Sequence, residues 1–147
     1  MTRRGFTLIE IIVVIGLIGL MAVIGFRTLG PSLSKQQVIS ARNEIAAMHS
    51  KAKANAIHRA MTTTLHLTSG YLMITSTEPV TSTPDTIGSI YDIVDKYGVS
   101  FTTSPTRDSL VFDSRGIGTE TASTLIIVSK DGHADTVSVS SVGRILN

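Results

Sequence analysis

Met1-Thr2-Arg3-Arg4-Gly5-Phe6-Thr7-Leu8-Ile9-Glu10 opens the chain, and an uncharged apolar run follows it to Phe26. The 21 residues from Phe6 to Phe26 carry a single charge, Glu10. As a helix, a segment of that length spans the ~30 Å hydrocarbon core of a bilayer. A carboxylate at membrane depth costs about 2.5–3.5 kcal/mol on insertion scales, so it needs a partner. One acid near the edge of an otherwise clean apolar run is the anomaly of this segment.

A secretory signal peptide has an apolar core of about 7–15 residues followed by a small-residue cleavage site. Here the run is longer and no Ala-x-Ala site precedes Arg27. A plain membrane anchor accounts for the length and the flanking charge, but not for Glu10 or the Gly5-Phe6 junction. Gly5-Phe6-Thr7-Leu8-Ile9-Glu10, behind its basic leader, resembles the class III signal motif of the type IV pilin and pseudopilin family. The resemblance implies that a prepilin peptidase cuts between Gly5 and Phe6, and that the new amine on Phe6 is N-methylated. It also implies partners: membrane lipid before assembly, an inner-membrane assembly platform, and other pilin or pseudopilin subunits.

The chemistry of the motif is readable without the family. Arg3 and Arg4 hold the leader on the cytoplasmic side by the positive-inside tendency. Cleavage after Gly5 creates an α-amino group, with a reference pKa of about 7.7–8.0, at the head of an apolar helix. Glu10 then lies four residues on, on the same helical face. It can neutralise that amine or the amine of a neighbouring subunit. The resemblance favours the second, a pairing that sets register during filament assembly.

Composition fits one head domain behind the apolar segment, since about 120 residues suffice for one compact domain and not two. With no cysteine, the chain has neither a disulfide scaffold nor Cys-based zinc or redox sites. The net charge of +2 is that of the leader arginines; the remaining 11 basic residues balance 11 acidic ones. The charge is unevenly spread, however. Lys35 to Arg59 has five basic residues against Glu44, and Ala60 to Asn147 has five basic against nine acidic. A basic helix face is ordinarily solvated; the alternatives are charge matching between subunits or contact with nucleic acid.

Three regions follow the leader of residues 1–5: an apolar helix over 6–30, an amphipathic helix over about 32–61, and a β-rich part over 62–147. The resemblance implies that the last two form a periplasmic head over 31–147. Gly16, Gly19 and Gly25 let apolar helices approach closely, although their spacing is not strict Gly-x-x-x-Gly. Gly30-Pro31 predicts a kink or brief break, because proline lacks the donor an interior position needs. Val38, Ala41, Ile45, Met48, Ala52 and Ala56 recur at helical spacing and predict a stripe that a sheet covers. If both segments are helical, Phe6 to Met61 spans about 84 Å at 1.5 Å per residue.

The period changes at Thr62. Thr63–Leu67 and Tyr71–Thr75 predict a hairpin about Ser69-Gly70, and Thr75–Ser89 a long surface loop. Short strands are expected at Val99–Thr102, Ser109–Phe112, Thr124–Val128 and Thr136–Val139, with a tight turn at Asp131-Gly132. The expected fold class is α+β: a pilin-like long N-terminal helix packed on a C-terminal antiparallel β-sheet head.

Val111-Phe112-Asp113-Ser114-Arg115-Gly116 and Val142-Gly143-Arg144-Ile145 resemble the core of the GspH/FimT group, which holds minor pseudopilins of type II secretion and minor pilins of type IV pili. The resemblance covers the N-terminal segment and roughly Leu110–Ile145; Thr62–Ser109 matches in layout only. Some members of that group are similar to a DNA-uptake pilin with a Gly-Arg-x-Arg motif. Here leucine stands at 146 where the second arginine would be, which removes roughly one phosphate contact. Arg144 is thus a candidate DNA contact, or a structural residue near the last strand.

No nucleophile elbow is present. His49, His58, His66 and His133 lack metal-ligand spacing. Gly116-Ile117-Gly118 reads as a turn, and Asp92 and Asp95 as a solvated loop or helix start. The expectation is a non-enzymatic subunit with no catalytic residue, cofactor or metal. It is processed at Gly5 and Phe6 and assembles through Glu10 into a type II secretion pseudopilus or a type IV pilus. The alternatives are a DNA-binding minor pilin for transformation and a pilus assembly or adhesion subunit.

Overall fold

The computed structural model describes residues 7–78 and 82–146. The leader, including Gly5 and Phe6, lies outside them. A helix α1 covers Leu8–Arg59, and the chain divides into two units after Leu33.

In the first unit, every side chain from Leu8 to Ile24 is exposed, large aliphatic ones included. This half of α1 is long and apolar enough to cross a membrane. Pro31 stands inside α1, so of the kink or brief break expected at Gly30-Pro31 the break is absent. A proline removes a single N–H donor, and the bonds of the turns on either side carry the helix through.

The second unit begins at Ser34. The stripe Val38, Ala41, Ile45, Met48, Ala52 and Ala56 is buried throughout, none of its members more than 3% exposed. It is covered by two antiparallel sheets. The first joins β1 (Thr62–His66), β2 (Tyr71–Thr77), β3 (Pro84–Thr86), β4 (Tyr91–Asp92) and β6 (Ser109–Phe112), in the order β3-β2-β1-β6 with β4 also on β2. The second joins β5 (Ser100–Ser104), β7 (Thr124–Lys130), β8 (His133–Val139) and β9 (Ile145–Leu146), in the order β5-β7-β8-β9. Between β4 and β5 lies one helical turn, α2 (Ile93–Tyr97).

Alternation along the strands decides which residues meet α1. Thr63 and Leu65 of β1, Leu110 and Phe112 of β6, Ile126 and Val128 of β7, and Val137 and Val139 of β8 are all buried. Asp131 and Gly132 join β7 to β8 with φ of 47° and 80°, the positive values a two-residue hairpin turn needs. The expected β1–β2 hairpin forms, with Leu65 opposite Ile74 and a 3₁₀ turn at Thr68–Gly70.

Part of the expected surface loop Thr75–Ser89 is strand. β2 runs on to Thr77 and β3 pairs with it, Ser76 opposite Asp85. Pro84 is admissible there because it opens a strand at the sheet edge, where no ladder donor is lost. Asp92 caps α2 by accepting the Asp95 N–H at 2.9 Å, so the pair is the start of a helix.

The uneven charge along the chain is partly consumed within it. Arg59 meets Asp85 at 3.0 Å, Arg42 meets Asp135 at 3.6 Å, and Lys96 meets Glu44 at 3.3 Å. Each such partly exposed pair contributes about 0.2–1 kcal/mol, so they orient rather than drive the packing of head on helix.

Candidate functional site

Two regions carry the functional readings, one in each unit. In the first, Glu10 lies in the first turn of α1 and is exposed. Its backbone N–H reaches Thr7 Oγ1 at 3.3 Å and the Thr7 carbonyl at 3.1 Å. Thr7-x-x-Glu10 therefore has the spacing of a capping box, with Thr7 supplying the cap. The carboxylate makes no ion pair among the described residues.

In the second unit, the two C-terminal motifs meet on the same stretch of α1. Phe112, 1% exposed, packs edge-on against the His49 ring, with centroids 5.2 Å apart and planes at 80°. Such edge-to-face pairs contribute beyond their buried area. The turn after β6 is closed by Asp113, whose carboxylate accepts the Ile117 N–H at 2.8 Å and the Arg115 N–H at 2.9 Å. Arg115 adds side-chain bonds at 2.9 and 3.0 Å. The Ile117 amide, then Arg115, hold the Asp113 carboxyl below its ordinary range.

Glycine is required where the motifs touch. A Cβ on Gly118 would lie 2.6 Å from the Gly143 nitrogen and 2.8 Å from the Ser141 carbonyl oxygen. That approach lets the Gly118 N–H reach the Val142 carbonyl at 3.0 Å. Gly143, with φ of 73°, sits where a Cβ would strike Phe112. Phe112, Gly118 and Gly143 thus form one contact that joins the segments of both motifs.

This contact borders a groove of about 440 Å³, whose lining includes His49, Lys53, Ile57, Gly143, Arg144 and Ile145. Arg144 is exposed, in the turn Ser140–Arg144 just before β9, and its N–H donates to Ser140 Oγ at 3.0 Å. Lys53 and His49 were not among the expected site residues. Their signal was present, because 49, 53 and 57 lie one turn apart on a single helical row. No group of three or more His, Cys, Asp or Glu able to hold a metal occurs among the described residues.

His49 is 3% exposed, and neither ring nitrogen has a hydrogen-bond partner among the described residues. Burial, reinforced by the Lys53 charge, lowers its pKa to about 4. The unfolded chain, near 6.5, binds the proton more readily, so stability is full above that value and falls as pH drops toward 4. Between about pH 7.5 and pH 5 the expected loss is about 2 kcal/mol. Urea unfolding at the two pH values checks this, and His49→Leu should flatten the difference.

The fold is that of a pilin head behind a long apolar helix. It is similar to the type IV minor pilin FimU of Pseudomonas aeruginosa PAO1, at 16% identity and a TM-score of 0.63, over 76% of this chain and 87% of that one. A second crystal form of FimU gives a TM-score of 0.58 at 16% identity, over 73% and 89%. Residues 41–143 match the family described as Type II transport protein GspH, and residues 1–26 match the prokaryotic N-terminal methylation motif. The chain belongs to the GspH family of pilin-like proteins. No curated protein matches it.

Proposed function

We propose that this chain is a structural minor pseudopilin or minor pilin. Residues 6–30 hold it in the bacterial inner membrane and residues 31–147 form its periplasmic head. A prepilin peptidase removes residues 1–5 by cutting between Gly5 and Phe6, and the Phe6 amine is then methylated. The apolar half of α1 leaves lipid for the core of a filament, with the assembly platform and sibling subunits as partners. Glu10 there neutralises a terminal amine. The filament is a type II secretion pseudopilus or a type IV pilus, and the subunit serves assembly or secretion without catalysing a reaction.

The observation that carries this reading is the wholly exposed apolar face from Leu8 to Ile24, joined by one continuous helix to a packed head. An apolar surface of that extent needs lipid or protein around it. Gly5→Leu tests the processing step, because a bulky side chain at the cleavage position should leave the leader attached. The anti-head immunoblot should then show only the larger precursor, and normal maturation of Gly5→Leu would contradict the reading.

A second reading, a minor pilin that binds DNA, has one observation in its favour. Lys53 lines the same groove as Arg144 and supplies a second cation that Leu146 does not.

A further inference from the structure

The groove between α1 and the Gly143–Ile145 segment gathers groups that the head itself does not use. Lys53 and Arg144 line it, and neither takes part in an ion pair among the described residues. This contrasts with Arg42 and Arg59 on the same helix, which are paired to the head. His49 lines it as well, with both ring nitrogens unpartnered although the residue is 97% buried by its 3% exposure. Apolar surface completes it, from Ile57, itself 54% exposed, and Ile145. Beside it runs β9, the last strand of its sheet, which pairs with β8 and with no other described strand.

We propose that this groove is the docking site for an extended acidic segment of another filament subunit. A carboxylate of that segment sits between Lys53 and Arg144, over the buried His49 ring. A neighbouring apolar side chain of the segment lies on Ile57 and Ile145. The proposal rests on the filament-subunit reading and names the partner chemistry of one of its surfaces.

Three features select this occupant. The groove offers apolar surface from Ile57 and Ile145 beside its cations, which suits a segment that alternates acidic and apolar side chains. At neutral pH the His49 ring is uncharged, held so by burial and by Lys53, so the positive charge of the groove is that of Lys53 and Arg144. Two cations suit one carboxylate, whereas nucleic acid gains affinity by neutralising many phosphates in succession. An open strand edge is the usual seat for an extended peptide, which adds main-chain hydrogen bonds to side-chain selectivity.

The test is a titration of the full-length chain in detergent micelles, followed by NMR of the His49 ring and the Arg144 side chain. The probes are a blocked pentapeptide alternating Val and Glu, the same peptide with Gln for Glu, and a single-stranded oligonucleotide. The Glu peptide should bind and shift both reporters, with affinity at least about tenfold above the Gln peptide. Lys53→Gln, at a half-buried position, and Arg144→Gln, at an exposed one, should each weaken it about fivefold or more while leaving the Phe112 signals in place.

Equal affinity for the two peptides, or no shift of His49 at millimolar peptide, would overturn the proposal. So would oligonucleotide that displaces the peptide with a steep salt dependence, which would make the groove a polyanion site. Failure here is distinguishable from failure of the filament reading. The first leaves leader cleavage and the effect of Glu10 substitution intact; the second removes them.

Discussion

Phe112→Ala should destabilise the head by about 3–5 kcal/mol, the range for deleting a fully buried aromatic ring. Phe112 sits at the end of β6, opposite Thr63 of β1, inside the core shared by α1 and both sheets. Its ring also fills the space under Gly143 and forms the edge contact with His49. The truncation therefore removes apolar contact and the surface on which the C-terminal motif rests. Small domains hold about 5–15 kcal/mol in total, so the variant should be partly unfolded near physiological temperature. Urea unfolding followed by circular dichroism measures it. Phe112→Leu, which keeps much of the apolar volume, should cost visibly less. Equal, small losses for both would show that Phe112 is not the joint of this core.

Glu10→Ala should leave membrane insertion intact and reduce incorporation into filaments about tenfold or more. Insertion should not suffer, because a carboxylate at membrane depth costs about 2.5–3.5 kcal/mol and alanine removes that cost. The start of α1 should also survive. The cap is made by Thr7 to the backbone N–H of residue 10, which alanine retains. What alanine cannot do is neutralise an amine in an apolar filament core, where an unpaired charge is strongly disfavoured. The distribution of the protein between membranes and sheared filaments reads out the effect, and Glu10→Gln separates charge from hydrogen bonding. Normal incorporation of Glu10→Ala would contradict the pairing role.

Much of the head was legible because its long elements are strongly periodic. Val38 to Ala56 repeats over five turns, so one face had to be core, and all six expected residues are buried. Ser109–Phe112 and the Asp131-Gly132 turn were equally direct, the first by alternation and the second by two residues tolerant of positive φ. The elements that escaped are the short ones. β3, β4 and β9 have two or three residues, too few for a period of two to declare itself. α2 is one turn, although its Asp92 cap and its Gly98 terminus in the left-handed region were both in view.

The groove was invisible for a different reason. It depends on the meeting of Gly118 with Gly143, 25 positions apart, and of Gly143 with the His49–Ile57 row of α1. No local pattern encodes that meeting. The glycines hinted at it, since a glycine outside a turn marks a close approach of backbone as often as a bend. Likewise the basic character of Lys35–Arg59 was plain, but its division into paired Arg42 and Arg59 and a Lys53 with no ion pair among the described residues needed the packing of the head.

The filament-subunit account stands most directly on the N-terminus of the mature protein. Intact-mass analysis with N-terminal fragmentation, on protein extracted from membranes of the producing cell, measures it. The account predicts a chain that begins at Phe6 and carries the mass of one added methyl group on its amine. A chain that retains Met1–Gly5, or one cut elsewhere, would contradict it.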